Sequence, residues 1–246
     1  MAESFAARPR GDRAFFLAFV AAGWIAIYMG FDESVLKRWH GEADFPAPPI
    51  LLLHIATFVG WMVLLTAQVM LIRFRRLHIH RRLGLALLAL APVMVVTGIG
   101  AEVFSQRFYS PRFPENLRFF AFPLAEMAMF AFLAAAAYRA RRDSPSHKRL
   151  ILLATATILV AATNRWAGEA LYALVGDGFW GMFILTYAGP NVLIAAALLY
   201  DLAVFRRIHH VYWIAVPAIL AAELASSAVY HAAWWPSLVR GLVGLP

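Results

Sequence analysis

The chain has 246 residues, of which 62% are hydrophobic and only 15% are charged. A soluble domain usually has about 45–50% apolar and about 25% charged residues. Here the apolar residues also form long runs, which is the pattern of a membrane protein. The formal net charge of +8 does not indicate nucleic-acid binding, because the basic residues lie in short segments between apolar runs. The cysteine count of zero excludes disulfides, thiolate catalysis and iron–sulfur clusters.

Seven apolar runs are long enough to cross a bilayer core, which takes about 20 helical residues. The runs are continuously apolar, which favours helices over the alternating strands of a membrane barrel. The connecting segments are short, so we expect residues 1–246 to form a single all-α domain, a seven-helix transmembrane bundle. The predicted helices are residues 14–31, 50–72, 83–104, 119–138, 150–174, 180–205 and 211–234. The remaining apolar tail is too short to span and is expected on the outer surface or against a partner.

Lysine and arginine are concentrated in alternate connecting segments. Residues 73–82 carry five arginines, and residues 139–149 carry five basic side chains against one acid. Residues 32–49, a segment of the opposite kind, carry only two basic side chains and four acidic ones. Residues 105–118 depart from this alternation, because they carry three arginines where few basic residues are expected. By the positive-inside rule, this distribution predicts a cytoplasmic N-terminus, an outside C-terminus and contacts between the basic segments and anionic lipid headgroups. No small-residue cleavage site follows the first run, so we expect it to remain as a helix.

A spacing of 22 residues recurs between a histidine beside basic residues and a later ionisable residue. At about 1.5 Å per residue, this spacing is about 33 Å, roughly one bilayer core. It predicts one lead helix followed by three related hairpins, each with an ionisable residue near the outer end of its second helix. Coincidence in an apolar sequence of low diversity is the alternative. The pairs are His80 and Glu102, His147 and Glu169, and His209 and His231.

Two short segments carry a resemblance. Residues 147–155 (HKRLILLAT) and 80–84 (HRRLG) resemble recurring segments of a broad family of uncharacterised bacterial multi-pass inner-membrane proteins, as does His54 followed by Gln68. The likeness covers roughly residues 50–210. The resemblance implies a location in the bacterial inner membrane, and it implies no activity.

Ionisable side chains inside a membrane helix cost about 2.5 kcal/mol or more at the centre, so they are candidates for function. His54, Glu126, Arg165 and Asn191 are predicted to bind a small ligand or cofactor in the outer half of the bundle. The structural alternative is an ion-pair network, since Arg165 and Glu169 are four residues apart on one helix face. The complete polar set is His54, Glu102, Glu126, Asn164, Arg165, Glu169, Asn191, Glu223 and His231.

A metal site is a second hypothesis for the same half of the bundle. Its predicted ligands are His54, Glu102, Glu169 and His231, because two imidazoles and two carboxylates suit zinc or iron. No HExxH or ExxH spacing supports it. A b-type haem is a special case, for which His54 and His231 are the only histidines at matching depth. The other histidines lie in basic turns and are expected at helix starts and lipid headgroups: His78, His80, His147, His209 and His210.

Three functions therefore stay open. The first is binding of a small ligand or cofactor in a polar cavity of the outer half, with enzymatic activity undecided. The second is a metal- or haem-dependent membrane enzyme or electron-transfer subunit. The third is an accessory subunit that packs against a partner protein in a larger membrane complex. A retinal protein is excluded, because the only lysines, Lys37 and Lys148, lie outside the predicted helices.

Overall fold

The computed structural model describes Phe5 and residues 11–246, and every regular element in this part of the chain is helical. Two 3₁₀ segments precede α4 and α5, at Pro114–Phe120 and Ala140–Arg142. The α-helices of the described part are α1 Asp12–Trp39, α2 Pro49–Arg73, α3 Leu77–Tyr109, α4 Ala121–Arg139, α5 Ser144–Thr157, α6 Val160–Val175, α7 Phe179–Phe205, α8 His210–His231 and α9 Trp235–Leu242.

Six spans in this part of the chain are long and apolar enough to cross a membrane: α1, α2, α3, α4 with its 3₁₀ lead-in, α7 and α8. A seventh is formed by α5 and α6 if this pair, bent by 49°, is counted as one broken span. The prediction of an all-α multi-pass membrane bundle is confirmed. Its helix bounds need correction, because α1 and α3 extend beyond the apolar runs and the last span ends at His231 instead of residue 234.

The predicted helix over residues 150–174 corresponds to the broken span, and its chain is interrupted at Ile158 and Leu159. Threonine hydroxyls on both sides of the break bond to carbonyl groups of their own helix turn. Thr157 Oγ1 donates to Ala154 O at 2.9 Å, and Thr163 Oγ1 donates to Leu159 O at 3.1 Å. Such bonds compete with the backbone ladder and favour bending, and no proline or glycine lies at the break.

The two halves of the broken span occupy different positions in the bundle. The mostly buried α5 packs against α4, α7 and α8, whereas α6 lies between α1 and α7. Glycines hold α6 at this peripheral position. A Cβ atom on Gly30 of α1 would lie 2.2 Å from Ala162 O, and one on Gly189 of α7 would lie 2.3 Å from Thr163 Cβ. The broken span is therefore central at one end of the bundle and peripheral at the other.

We call the end of the bundle with the α2–α3, α4–α5 and α7–α8 connections the inner end, and the opposite end the outer end. A buried ion pair lies at the inner end. Arg149 is 2% exposed, and its Nε and Nη2 donate to the two carboxylate oxygens of Asp201 at 2.9 and 2.5 Å. Asp201 Oδ2 also accepts from the backbone N of His209 at 3.1 Å. Arg149, which the sequence places in a basic connecting segment, is therefore buried in an ion pair, and the contact of the basic segments with headgroups stays a prediction.

The neighbours of Arg149 fix α5 to two more helices. His147 Nδ1 lies 2.8 Å from Ala137 O of α4, and Lys148 forms an ion pair with Asp12 of α1. Three consecutive side chains, residues 147–149, thus connect α5 to α4, α1 and α7.

His209 caps the next helix at the inner end. Its Nδ1 accepts from Val211 N at 3.3 Å at the start of α8, so its predicted helix-start role is confirmed. Burial, followed by the nearby Arg149 guanidinium, lowers the pKa of His209 to about 4. The imidazole is therefore neutral at pH 7, as an accepting Nδ1 requires.

The C-terminal tail lies on the outer end. Trp235 and Val239 of α9 are buried against Leu117 and Phe120 of the 3₁₀ segment, and Trp235 Nε1 donates to Arg118 O at 3.1 Å. In the structure α9 packs against the 3₁₀ segment Pro114–Phe120 and against α8, and the expected location of the tail on the outer membrane surface or against a partner stays a prediction.

Candidate functional site

Arg165 is the most unusual side chain of the outer half. It is exposed on α6, and its guanidinium lies 4.7 Å from the centre of the Phe31 ring on α1. Electrostatic interactions connect it with His54 of α2 and with Glu102 and Tyr109 of α3. Within the described residues, Arg165 makes no hydrogen bond, and none of the four ion pairs includes it. The ion pair with Glu169 that the spacing allows is therefore not formed.

Two further polar side chains accompany Arg165. The centre of the His54 ring lies 4.2 Å from that of the Phe58 ring, with the two planes tilted by 46°, and its buried Nδ1 has no hydrogen-bond partner in the described part of the chain. Glu102 accepts from Gln106 Nε2 at 2.6 Å, so its carboxyl is oriented by its own helix. We call Arg165, His54 and Glu102 the arginine cluster. It draws on α2, α3 and α6.

A second group, the carboxyl cluster, lies between α4, α7 and α8 and consists of Glu126, Glu223, Asn191 and Tyr187. Asn191 Nδ2 donates to Glu223 Oε2 at 2.9 Å, and the Tyr187 hydroxyl lies 2.6 Å from Ser226 Oγ. Glu126 interacts electrostatically with Glu223 and with Glu102, which links the two clusters. It has no hydrogen bond to any described residue. It lines a cavity of about 10 Å³ with Glu223 and Tyr187, the space of roughly one water.

The structure thus brings the four predicted ligand-binding residues into two linked groups. His54 and Arg165 belong to the arginine cluster, whereas Glu126 and Asn191 belong to the carboxyl cluster. Glu223 belongs to the polar set that hydropathy identifies, but neither the predicted ligand-binding residues nor the predicted metal ligands include it. Its partner Asn191 lies in the preceding helix, and neither spacing nor hydropathy shows which faces of two helices meet.

The predicted metal ligands are less closely associated. Glu169 is exposed on α6, and His231 is exposed at the outer end of α8, where its ring lies 5.6 Å from that of Phe179. Over Phe5 and residues 11–246, no three His, Asp or Glu side chains form a group that would hold a metal ion. The two histidines of the predicted haem pair have different neighbours. The His54 ring lies beside Phe58 and interacts electrostatically with Arg165, whereas the His231 ring lies beside Phe179 of α7. The zinc, iron and haem hypotheses stay predictions.

No protein-family model, curated protein or solved structure matches this chain.

Proposed function

We propose that this multi-pass membrane protein binds a small ligand with a carboxylate or phosphate group in the outer half of its bundle, at Arg165. One observation carries the proposal. The guanidinium of Arg165 has five N–H donors, and no acceptor among the described residues uses any of them. A planar guanidinium is suited to bidentate bonds with carboxylate or phosphate, so an anionic group would satisfy these donors.

The surroundings of Arg165 support ligand binding over a purely structural role. A charged side chain inside a membrane is costly, with estimates from about 2.5 kcal/mol upward, and proteins usually offset that cost by pairing the charge. Arg165 is exposed although it approaches residues of α1, α2 and α3. This combination is typical of a side chain that faces a polar vestibule. The unpartnered Nδ1 of His54 is a second hydrogen-bonding atom for the same ligand.

The bend between α5 and α6 supports the same vestibule. In the inner half, α5 packs centrally against α4, α7 and α8, whereas in the outer half α6 stands aside between α1 and α7. Arg165 lies on this peripheral half of the span, where its side chain is exposed beside Phe31 of α1. The proposed location is the bacterial inner membrane, with the inner end facing the cytoplasm and its anionic headgroups, as charge distribution and resemblance imply.

The proposal is tested by thermal unfolding of the purified protein in detergent, with sodium phosphate or sodium succinate added at fixed ionic strength. We expect one of these anions to raise the Tm saturably, since a ligand at 100 times its Kd stabilises by about 2.7 kcal/mol. Arg165→Met is expected to abolish the saturable rise. Arg165→Lys should retain only part of it, because an ammonium is a point charge without the guanidinium fork.

Arg139→Met is the matched control, since Arg139 is an exposed arginine at the inner end. Phosphate stabilises many proteins by exclusion from their surface, and that effect is common to all variants. The proposal fails if Arg165→Met and Arg139→Met show the same rise in Tm as the unaltered protein with both anions.

A further inference from the structure

A groove separate from Arg165 lies between α4 and α8 at the outer end. Its volume is about 330 Å³, at the lower end of the range of about 300–1,000 Å³ for small-molecule sites. Alanines from both helices form its walls, and Trp234 and Trp235 close its outer end. The groove exists because methyl side chains leave space that larger residues would fill. The wall alanines are Ala121, Ala125, Ala222 and Ala225.

The groove leads to the carboxyl cluster. Ala125 and Ala222 line both the groove and the 10 Å³ cavity that contains Glu126 and Glu223. Glu223 already accepts from Asn191, whereas Glu126 has no hydrogen-bond partner among the described residues. An apolar space of ligand size therefore ends beside a water-sized space with an unsatisfied acceptor.

The open side of the groove lies on the surface of two apolar spans, α4 and α8. Ala225 is exposed on α8, and Trp234 is 57% exposed at the outer end. The side chains around the groove are apolar except for Ser226, whose hydroxyl is engaged with Tyr187 and Glu223 O. An apolar groove of this kind accommodates an alkyl chain, and it has no hydrogen-bonding or charged partner for a charged headgroup. The occupant must therefore enter from the membrane, and its polar end must be small.

We propose that the groove binds a membrane-dissolved amphiphile with one apolar chain and a hydroxyl or amine at its end. The chain occupies the groove, and the terminal donor reaches Glu126, whose oxygens accept a hydrogen bond whether or not the carboxyl is ionised. A phospholipid headgroup is excluded by size, because the cavity at Glu126 takes roughly one water-sized group. This site does not depend on Arg165.

The experiment uses photo-crosslinking of the full-length protein in nanodiscs. The probe is a twelve-carbon alcohol with a diazirine in its chain, and crosslinked peptides are mapped by mass spectrometry. We expect crosslinks on α4 and α8 around the groove, displaced by dodecanol or dodecylamine and not by equal amounts of dodecane. Displacement by the alcohol identifies a hydroxyl ligand, and displacement by the amine identifies an ammonium or amine ligand.

Variants separate the groove from general lipid contact. Ala125→Leu with Ala225→Leu should remove the crosslinks by filling the groove, whereas Ala196→Leu on the exposed face of α7 should leave them unchanged. Glu126→Leu should weaken competition by the alcohol about fivefold, the effect of one hydrogen bond. Glu126→Gln keeps an acceptor and should preserve competition by the alcohol.

The proposal is overturned if dodecane competes as well as the two donor-bearing chains, or if filling the groove leaves the crosslinks in place. Arg165→Met is expected to leave the crosslinks unchanged, so the outcome is independent of the proposed anion site.

Discussion

At the scale of single residues, the inner end is stabilised by a buried ion pair whose hydrogen bonds are satisfied. Arg149 bonds to both oxygens of Asp201, and its Nη1 donates to Pro145 O at 2.9 Å. The Phe205 ring lies 5.4 Å from the guanidinium and shields it further. Two charges in a low-dielectric interior are tolerated when their donors and acceptors are all engaged, so each partner depends on the other.

Removal of one charged side chain of the Arg149–Asp201 pair is expected to lower the free energy of unfolding more than removal of both. Asp201→Asn should lower the free energy of unfolding by about 3–5 kcal/mol, because it leaves Arg149 as a buried charge without a counter-ion. The double variant Arg149→Met with Asp201→Leu should recover most of this loss. Thermal and denaturant unfolding in detergent measure the difference. Independent roles for the two side chains would instead appear as additive losses in the double variant.

Hydropathy and spacing identify which polar residues lie inside the helices, but they do not identify the residues that these side chains contact. They predict His54, Glu126, Arg165 and Asn191 as a set, and the structure joins these residues through Glu102 and Glu223. They place Arg149 among headgroups, because an arginine before an apolar run is usually a boundary residue. Its partner Asp201 lies 52 positions away, and nothing local to either residue indicates the pair.

At the scale of helices, the position of α6 depends on its close approach to α1. A Cβ on Gly30 would lie 2.2 Å from Ala162 O, and the obstructing atom belongs to the backbone and cannot rotate away. We expect Gly30→Ala to separate the helices and destabilise the protein by about 1–3 kcal/mol, the usual cost of overpacking. Tm in detergent provides the measurement.

Gly60→Ala is the matched control for this substitution. Gly60 lies within α2, and a Cβ there would meet Leu90 Cδ2 at 3.7 Å, an ordinary contact. Alanine favours a helix interior over glycine by about 1 kcal/mol, so Gly60→Ala should be neutral or stabilising. Equal stability of the two variants would show that the approach of α1 to α6 is not tight.

Apolar runs predict the existence of the spans but not the interruption of one of them. Proline inside a helix removes a backbone hydrogen bond, yet α7 and α8 continue as helices through Pro190 and Pro217. The break occurs at Ile158 and Leu159, where neither residue is a helix breaker. Threonines on both sides are the only local signal, and such residues are common in membrane helices that stay straight.

At the scale of the whole molecule, the arrangement of the helices in the bundle depends on contacts between segments that are distant in the chain. Sequential neighbours such as α2 and α3 pack as short connections predict. The packing of α1 on α6 and of α4 on α8 is not predictable from spacing, because it depends on facing glycines and alanines far apart in the chain. The three-hairpin duplication stays a prediction, since His147 bonds to another helix whereas His209 caps its own.

Orientation in the membrane is the whole-molecule property with the most direct test. Arginines at residues 73–76 and 139–142 lie at the inner end, and basic residues are retained in the cytoplasm. The cysteine-free chain allows single thiols to report the side of each end. Ser237→Cys on α9 and Ser144→Cys at the start of α5 replace exposed serines at the outer and inner ends. In intact spheroplasts, a membrane-impermeant maleimide should label only Ser237→Cys, and Ser144→Cys should react after lysis. The reverse pattern would place Arg165 on the cytoplasmic side, and the anionic ligand that we propose for it would then come from the cytoplasm.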